Sequence, residues 1–143
     1  MSRMTLRAKR LKEICKVIGS AVSGRPSNPV LGCVRFGEGK ITSTCVEMQI
    51  DIEVDGLTGE PFAVPFSRLQ SIATACDADS EVTIDSSGKI ACGAGRWKLP
   101  TVSVAEFPLM QPPSLRPAFR VPADQFARAA KQVLAAKTGG VGV

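Results

Sequence analysis

MTLRAKRLKEICKVI, running from Met4, aligns without gaps with FAVPFSRLQSIATAC from Phe62 and with FRVPADQFARAAKQV from Phe119. Their apolar positions coincide: Leu6, Val64 and Val121; then Leu11, Leu69 and Phe126; then Ile14, Ile72 and Ala129; then Ile18, Cys76 and Val133. A recurring unit constrains architecture more than any single motif does. Each copy opens with apolar residues at its first and third positions, the alternation of a short strand buried on one face. The apolar spacing then lengthens to three and four, the period of a helix. Pro65 and Pro122 stand just ahead of that stretch, where a missing amide donor costs least. Helices are expected at about 7–21, 67–77 and 123–136.

Between the helices the chain is β-like, with Gly and Asp at the turns. Runs at 30–37, 40–46 and 49–54 follow the first helix, and runs at 81–85, 89–92 and 96–102 follow the second, with Ser86-Ser87-Gly88 turning the first hairpin. The unit is strand, helix and three strands, occurring twice. That is an α+β plan in which helices on one face cover antiparallel sheets. The third copy stops after its helix. Three prolines in Gln111–Pro117 forbid regular pairing. The expected organisation is therefore a two-repeat domain over 1–110, a linker over 111–117, and over 118–143 the first strand and helix of an incomplete second domain. The glycine-rich end, 137–143, reads as a mobile tail or the start of something cut short.

The 143 residues are 44% apolar and 22% charged, with a formal net charge of +5. This fits an ordinary globular domain and excludes disorder and collagen. No window approaches the apolar length of a membrane span, so no membrane association is expected. The absence of His and Tyr removes the commonest general base and metal ligand, so a noncatalytic protein without metal or cofactor is expected. Asp77 and Asp79 lack further regularly spaced oxygen ligands, and the glycines at 93–95 and 139–142 do not link a strand to a helix as a phosphate loop would. Cys15, Cys33, Cys45, Cys76 and Cys92 are odd in number and contain no Cys-x-x-Cys, which favours buried, reduced thiols in the cytosol.

On a helical wheel, Leu11, Ile14, Cys15 and Ile18 lie opposite Lys9, Lys12, Glu13 and Lys16. In the third helix Arg128 and Lys131 lie opposite Phe126, Ala129, Ala130 and Val133, whereas the second helix turns Ser67, Gln70, Ser71 and Thr74 outward. Taken singly, a basic face is ordinary solvation. Repeated on helices that share one side of a sheet, these residues pool into a mildly basic surface suited to phosphate contacts that ignore base sequence. The scarcity of aromatic residues on it favours duplex over single strands.

The sequence resembles the β subunit of bacterial DNA polymerase III, the ring-shaped sliding clamp. The resemblance is carried by Gly24-Arg25-Pro26-Ser27-Asn28-Pro29-Val30-Leu31-Gly32, by Gly39-Lys40-Ile41-Thr42-Ser43-Thr44 with Glu47-Met48, by Phe62-Ala63-Val64-Pro65, and by Ala105-Glu106-Phe107-Pro108. It spans about 4–133, the first of three like-folded domains and the opening of the second. It implies a DNA-clamp fold and a processivity factor of DNA replication. Six such domains would close around double-stranded DNA, helices inward, without reacting with it. Arg25, Lys9, Lys12, Lys16, Arg128 and Lys131 would then be the DNA-binding residues, and Trp97 with Arg68 would mark a subunit interface. Cytoplasmic, nucleoid-associated localisation follows, as do polymerase and clamp-loader partners and self-association in a full-length parent. The family's pocket for partner peptides falls outside this sequence, and Cys45 replaces the family's usual Asp. The alternative is a clamp-like protein-interaction module that does not encircle DNA.

Overall fold

A computed structural model describes residues 2–22, 29–45, 47–110 and 117–141. It divides into two compact units, Met1–Met110 and Gln111–Val143.

In the first unit β1 (Arg3–Arg7) leads into α1 (Ala8–Ile18), followed by β2 (Cys33–Gly37), β3 (Lys40–Thr44) and β4 (Gln49–Glu53). The order then returns as β5 (Phe62–Pro65), α2 (Phe66–Ala75), β6 (Glu81–Asp85), β7 (Lys89–Cys92) and β8 (Gly95–Lys98). The repeat is thus present, but its two copies exchange their leading strands. The sheets run β1-β6-β7-β8 and β4-β3-β2-β5, so each joins three strands of one repeat to the opening strand of the other. All pairings are antiparallel, with Met4 opposite Ile84 and Val34 opposite Val64.

The exchange unites both repeats in one core. Met4, Val82, Ile84 and Ile90 from one sheet, Val34, Phe36, Ile41 and Val64 from the other, and Leu11, Ile14, Ile18, Leu69 and Ile72 from the helices form a single buried cluster. Phe36 and Phe62 stack with ring centroids 5.0 Å apart. The two helices pack against each other, and α1 also touches β4 of one sheet and β6 of the other. Each fully buried Leu or Ile contributes roughly 1.5–3 kcal/mol, so α1 is held by its apolar stripe rather than by intrinsic propensity.

Several elements are shorter than their sequence patterns. A 3-10 turn, Pro29–Gly32, precedes β2 in place of the expected early start at Val30. Beyond β8, Pro100 breaks the run, and Val102 makes only an isolated bridge to Ala63. The thiols are free, and four are buried, but Cys45 is only half-buried.

In the second unit α3 spans Ala123–Val141, starting with a bond from the Phe126 N–H to the Pro122 carbonyl at 3.1 Å. The helix thus runs past the expected end at Ala136, through Gly139 and Gly140. No strand forms at 119–121 among the described residues. In the first unit each opening strand is completed by the sheet of the other repeat, and the described residues offer no such sheet to Phe119–Val121. The stripe expected to be buried is open: Phe126 is 59% exposed and Val133 68%.

Candidate nucleic-acid interface

The basic face of α1 is built by what its other face must do. Ala8, Leu11, Ile14, Cys15 and Ile18 are buried, which forces Lys9, Arg10, Glu13, Lys16 and Val17 outward and leaves Lys12 half-buried. The Lys12 charge opposes part of the upward pKa shift of the buried Cys76 thiol. Arg10, which the sequence reading passed over, is also exposed and pairs with Glu13 at 3.7 Å. Lys9, Lys12 and Lys16 form no ion pair among the described residues.

The helix start explains why these charges are unusual. No side chain caps it, and no acidic residue lies in its first turn, where Lys9 and Arg10 stand. Cations at this positive end of the helix dipole cost roughly 0.3–1 kcal/mol each. The amides there are already used: the Ala8 N–H donates to the Ser80 carbonyl at 2.8 Å and the Lys9 N–H to the Ala78 carbonyl at 3.0 Å. An anion at this surface would therefore meet side-chain ammonium groups rather than these first two helix amides. At the far end, buried Ser43 donates from Oγ to the Ile18 carbonyl at 2.7 Å and fixes where α1 stops.

The neighbouring face of α2 is polar and uncharged at the positions the spacing indicated, with Ser67, Gln70, Ser71 and Thr74 exposed. Ser71 donates to the Ser67 carbonyl at 3.0 Å and Thr74 to the Gln70 carbonyl at 2.9 Å, turning both hydroxyl donors into their own helix. Arg128 and Lys131 are exposed on α3 in the second unit. Arg25 lies outside the described residues.

Arg68 and Trp97 come together across a groove of about 600 Å³ between α2 and β8, lined also by Ser71, Ile72, Lys98 and Leu99. Trp97 is half-buried on the inner side of β8, its indole laid over Gly95 so closely that a Cβ there would stand 2.3 Å from the ring. No three of the Cys, Asp and Glu side chains converge as metal ligands among the described residues. None of the described helices is long and apolar enough to cross a membrane.

No protein-family model and no curated protein matches the sequence. Solved structures do. A sliding clamp (DNA polymerase III subunit beta) from Bartonella birtlesii bound to griselimycin superposes with a TM-score of 0.70 at 19% identity, over 80% of this chain and 33% of that one. A Pseudomonas aeruginosa sliding clamp bound to griselimycin gives 0.68 at 22% identity, over 80% and 34%. The DNA polymerase III beta subunit of Thermotoga maritima gives 0.67 at 20% identity, over 80% and 34%. The match thus reaches about a third of the length of these clamps. With its strand-exchanged repeats and paired helices, this chain has the α+β fold of the bacterial sliding clamp, DNA polymerase III subunit beta.

Proposed function

We propose that the chain is a sliding-clamp domain of a replicative DNA polymerase: a noncatalytic processivity factor that holds duplex DNA by phosphate contacts as part of a ring. The observation that carries this reading is the outward face of α1. Lys9 and Lys16 project from a helix whose opposite side is filled by core, and Lys9 stands where its charge costs helix stability. A charge retained against a local cost is better accounted for by a polyanionic partner than by folding.

In this reading Lys9, Lys12 and Lys16 contact phosphates from α1, Arg128 and Lys131 do so from α3, and Arg25 is a further phosphate contact. Trp97 and Arg68 lie at the contact between subunits, and polymerase and loader engage the assembled clamp. The groove beside Trp97 favours a second reading, a protein-interaction module that never encloses DNA.

Retention on nicked circular duplex separates the two. A ring stays on the circle, weakens with salt, and is lost when the duplex is linearised. A module that shows no effect of DNA form, yet makes a stable protein complex through Trp97, would overturn encirclement.

A further inference from the structure

The sheet β1-β6-β7-β8 buries Met4, Val82, Ile84 and Ile90 in the core it shares with the helices, so the alternate residues of its strands face outward. That outer face is basic and holds a hollow of about 790 Å³. The hollow follows from side-chain size along one row of the sheet. Thr83 lies opposite Ala91, and Ala91 opposite Arg96. Two short side chains thus form a floor, around which the long side chains of Arg3, Lys89, Arg96 and Lys98 stand exposed.

These charges are not matched within the chain. Lys89 lies directly opposite Lys98, a like-charge pairing that weakens a sheet. Arg3 lies directly opposite Asp85, yet none of the four cations joins an ion pair among the described residues. The Asp85 carboxylate is turned into its own hairpin, where Oδ1 accepts from the Ser87 N–H at 2.9 Å and the Lys89 N–H at 3.2 Å. Arg96 is held in place on the strand, its Nη1 donating to the Gly93 carbonyl at 2.7 Å and to the Gly95 carbonyl at 2.9 Å.

An anion seated among these groups relieves the Lys89–Lys98 opposition, and the lining of the hollow selects the kind of anion. That lining is largely apolar. A duplex offers a sheet face its charged phosphates and nothing to fill an apolar hollow. An acidic peptide offers carboxylates and an apolar side chain together.

We propose that the outer face of this sheet binds an acidic peptide segment of a partner protein, its carboxylates on Arg3, Lys89, Arg96 and Lys98 and one apolar side chain in the hollow over Ala91. The site lies on the face of the sheet, across the core from the helices, and is distinct from the basic face of α1.

Fluorescence anisotropy of the 143-residue chain with a labelled peptide of Glu residues around a central Leu tests it. The peptide binds, and more weakly as salt rises. Replacing its Glu residues with Gln weakens binding at least tenfold, and replacing its Leu with Ser weakens it about threefold. Arg3→Glu/Lys89→Glu weakens binding at least tenfold. Lys89→Gln, which removes the opposed lysine pair, weakens binding while the unfolding midpoint holds or rises, so the loss is not one of folding. Ala91→Leu fills the hollow and abolishes the preference for Leu over Ser. No binding of the Glu peptide, equal binding of the Gln peptide, folded variants that bind as the wild type does, or full displacement of the peptide by a short duplex at equal concentration overturns the proposal.

Discussion

At the scale of single residues, the turn after β6 concentrates the most constraint. Asp85 Oδ1 accepts from the Ser87 N–H at 2.9 Å, from the Ser87 hydroxyl, and from the Lys89 N–H at 3.2 Å. Burial pulls the Asp85 carboxyl upward, but these bonds and the Lys89 charge outweigh it and hold the group below its ordinary value. Asp85→Ala should therefore cost roughly 1–2 kcal/mol in denaturant unfolding, and Asp85→Asn less, because the amide keeps an acceptor oxygen. With a lowered folded pKa, the carboxylate's contribution is fully present above the unfolded value of about 4 and is lost as pH falls through the folded one. The wild-type and Ala stabilities should accordingly converge in acid. Nearby, Gly88 has φ of +86°, and a Cβ on it would stand 2.1 Å from the Leu99 carbonyl oxygen. Alanine there carries both backbone strain and a clash with main chain. The thiols give a third expectation. Burial pushes Cys15 up to about 11, and burial with a hydrogen bond donated to Cys92 pushes the Cys76 thiol up to about 12. Thiolates are the reactive form, so a disulfide-exchange reagent at neutral pH should label half-buried Cys45 first and leave Cys15 and Cys76 until unfolding. Equal labelling rates for all three in the native state would contradict this burial pattern.

At the scale of elements, the repeat made the helices, the outward lysines and the order of strands legible, because the 3.6 and 2.0 periods report which side of an element is buried. Strand partnership was not legible in the same way. β1 and β5 carry the same alternation, so pairing within a repeat and exchange between repeats satisfy one local pattern equally; only the shared core distinguishes them. Strand ends were misread where apolar residues serve a turn instead, as in Pro29–Gly32. The third copy shows the complementary lesson: among the described residues its pattern makes no strand, and no sheet receives it. This contrast is measurable. Ile14 is buried at 1% exposure, so Ile14→Ala should destabilise the first unit by roughly 2–5 kcal/mol. Phe126 occupies the equivalent stripe of α3 yet stands open, and Phe126→Ala should change stability by no more than about 0.5 kcal/mol in thermal or denaturant melts of this chain. A large loss at Phe126 would mean that its side chain is covered in solution.

At the scale of the whole molecule, binding to duplex through phosphates has a quantitative signature that fold similarity does not supply. Each cation that displaces a counterion from B-DNA adds about −0.9 to the slope of log K against log salt concentration. Replacing Lys9, Lys12 and Lys16 together with Gln should flatten that slope by as much as about 3 if all three contact phosphates, without altering preference among duplex sequences. Arg10→Gln should do less, because Arg10 already shares its charge with Glu13 at 3.7 Å. The stability of the same variants supplies an internal control. Removing Lys9 from the first turn of α1 relieves an unfavourable interaction with the helix dipole, so Lys9→Gln should leave stability unchanged or raise it by a few tenths of a kcal/mol while weakening DNA binding. Opposite movement of the two measurements is the mark of a residue kept for its partner. If Lys9→Gln lowered stability and left the salt slope untouched, the basic face of α1 would be a solvated surface, and DNA contact would have to be sought elsewhere on the chain.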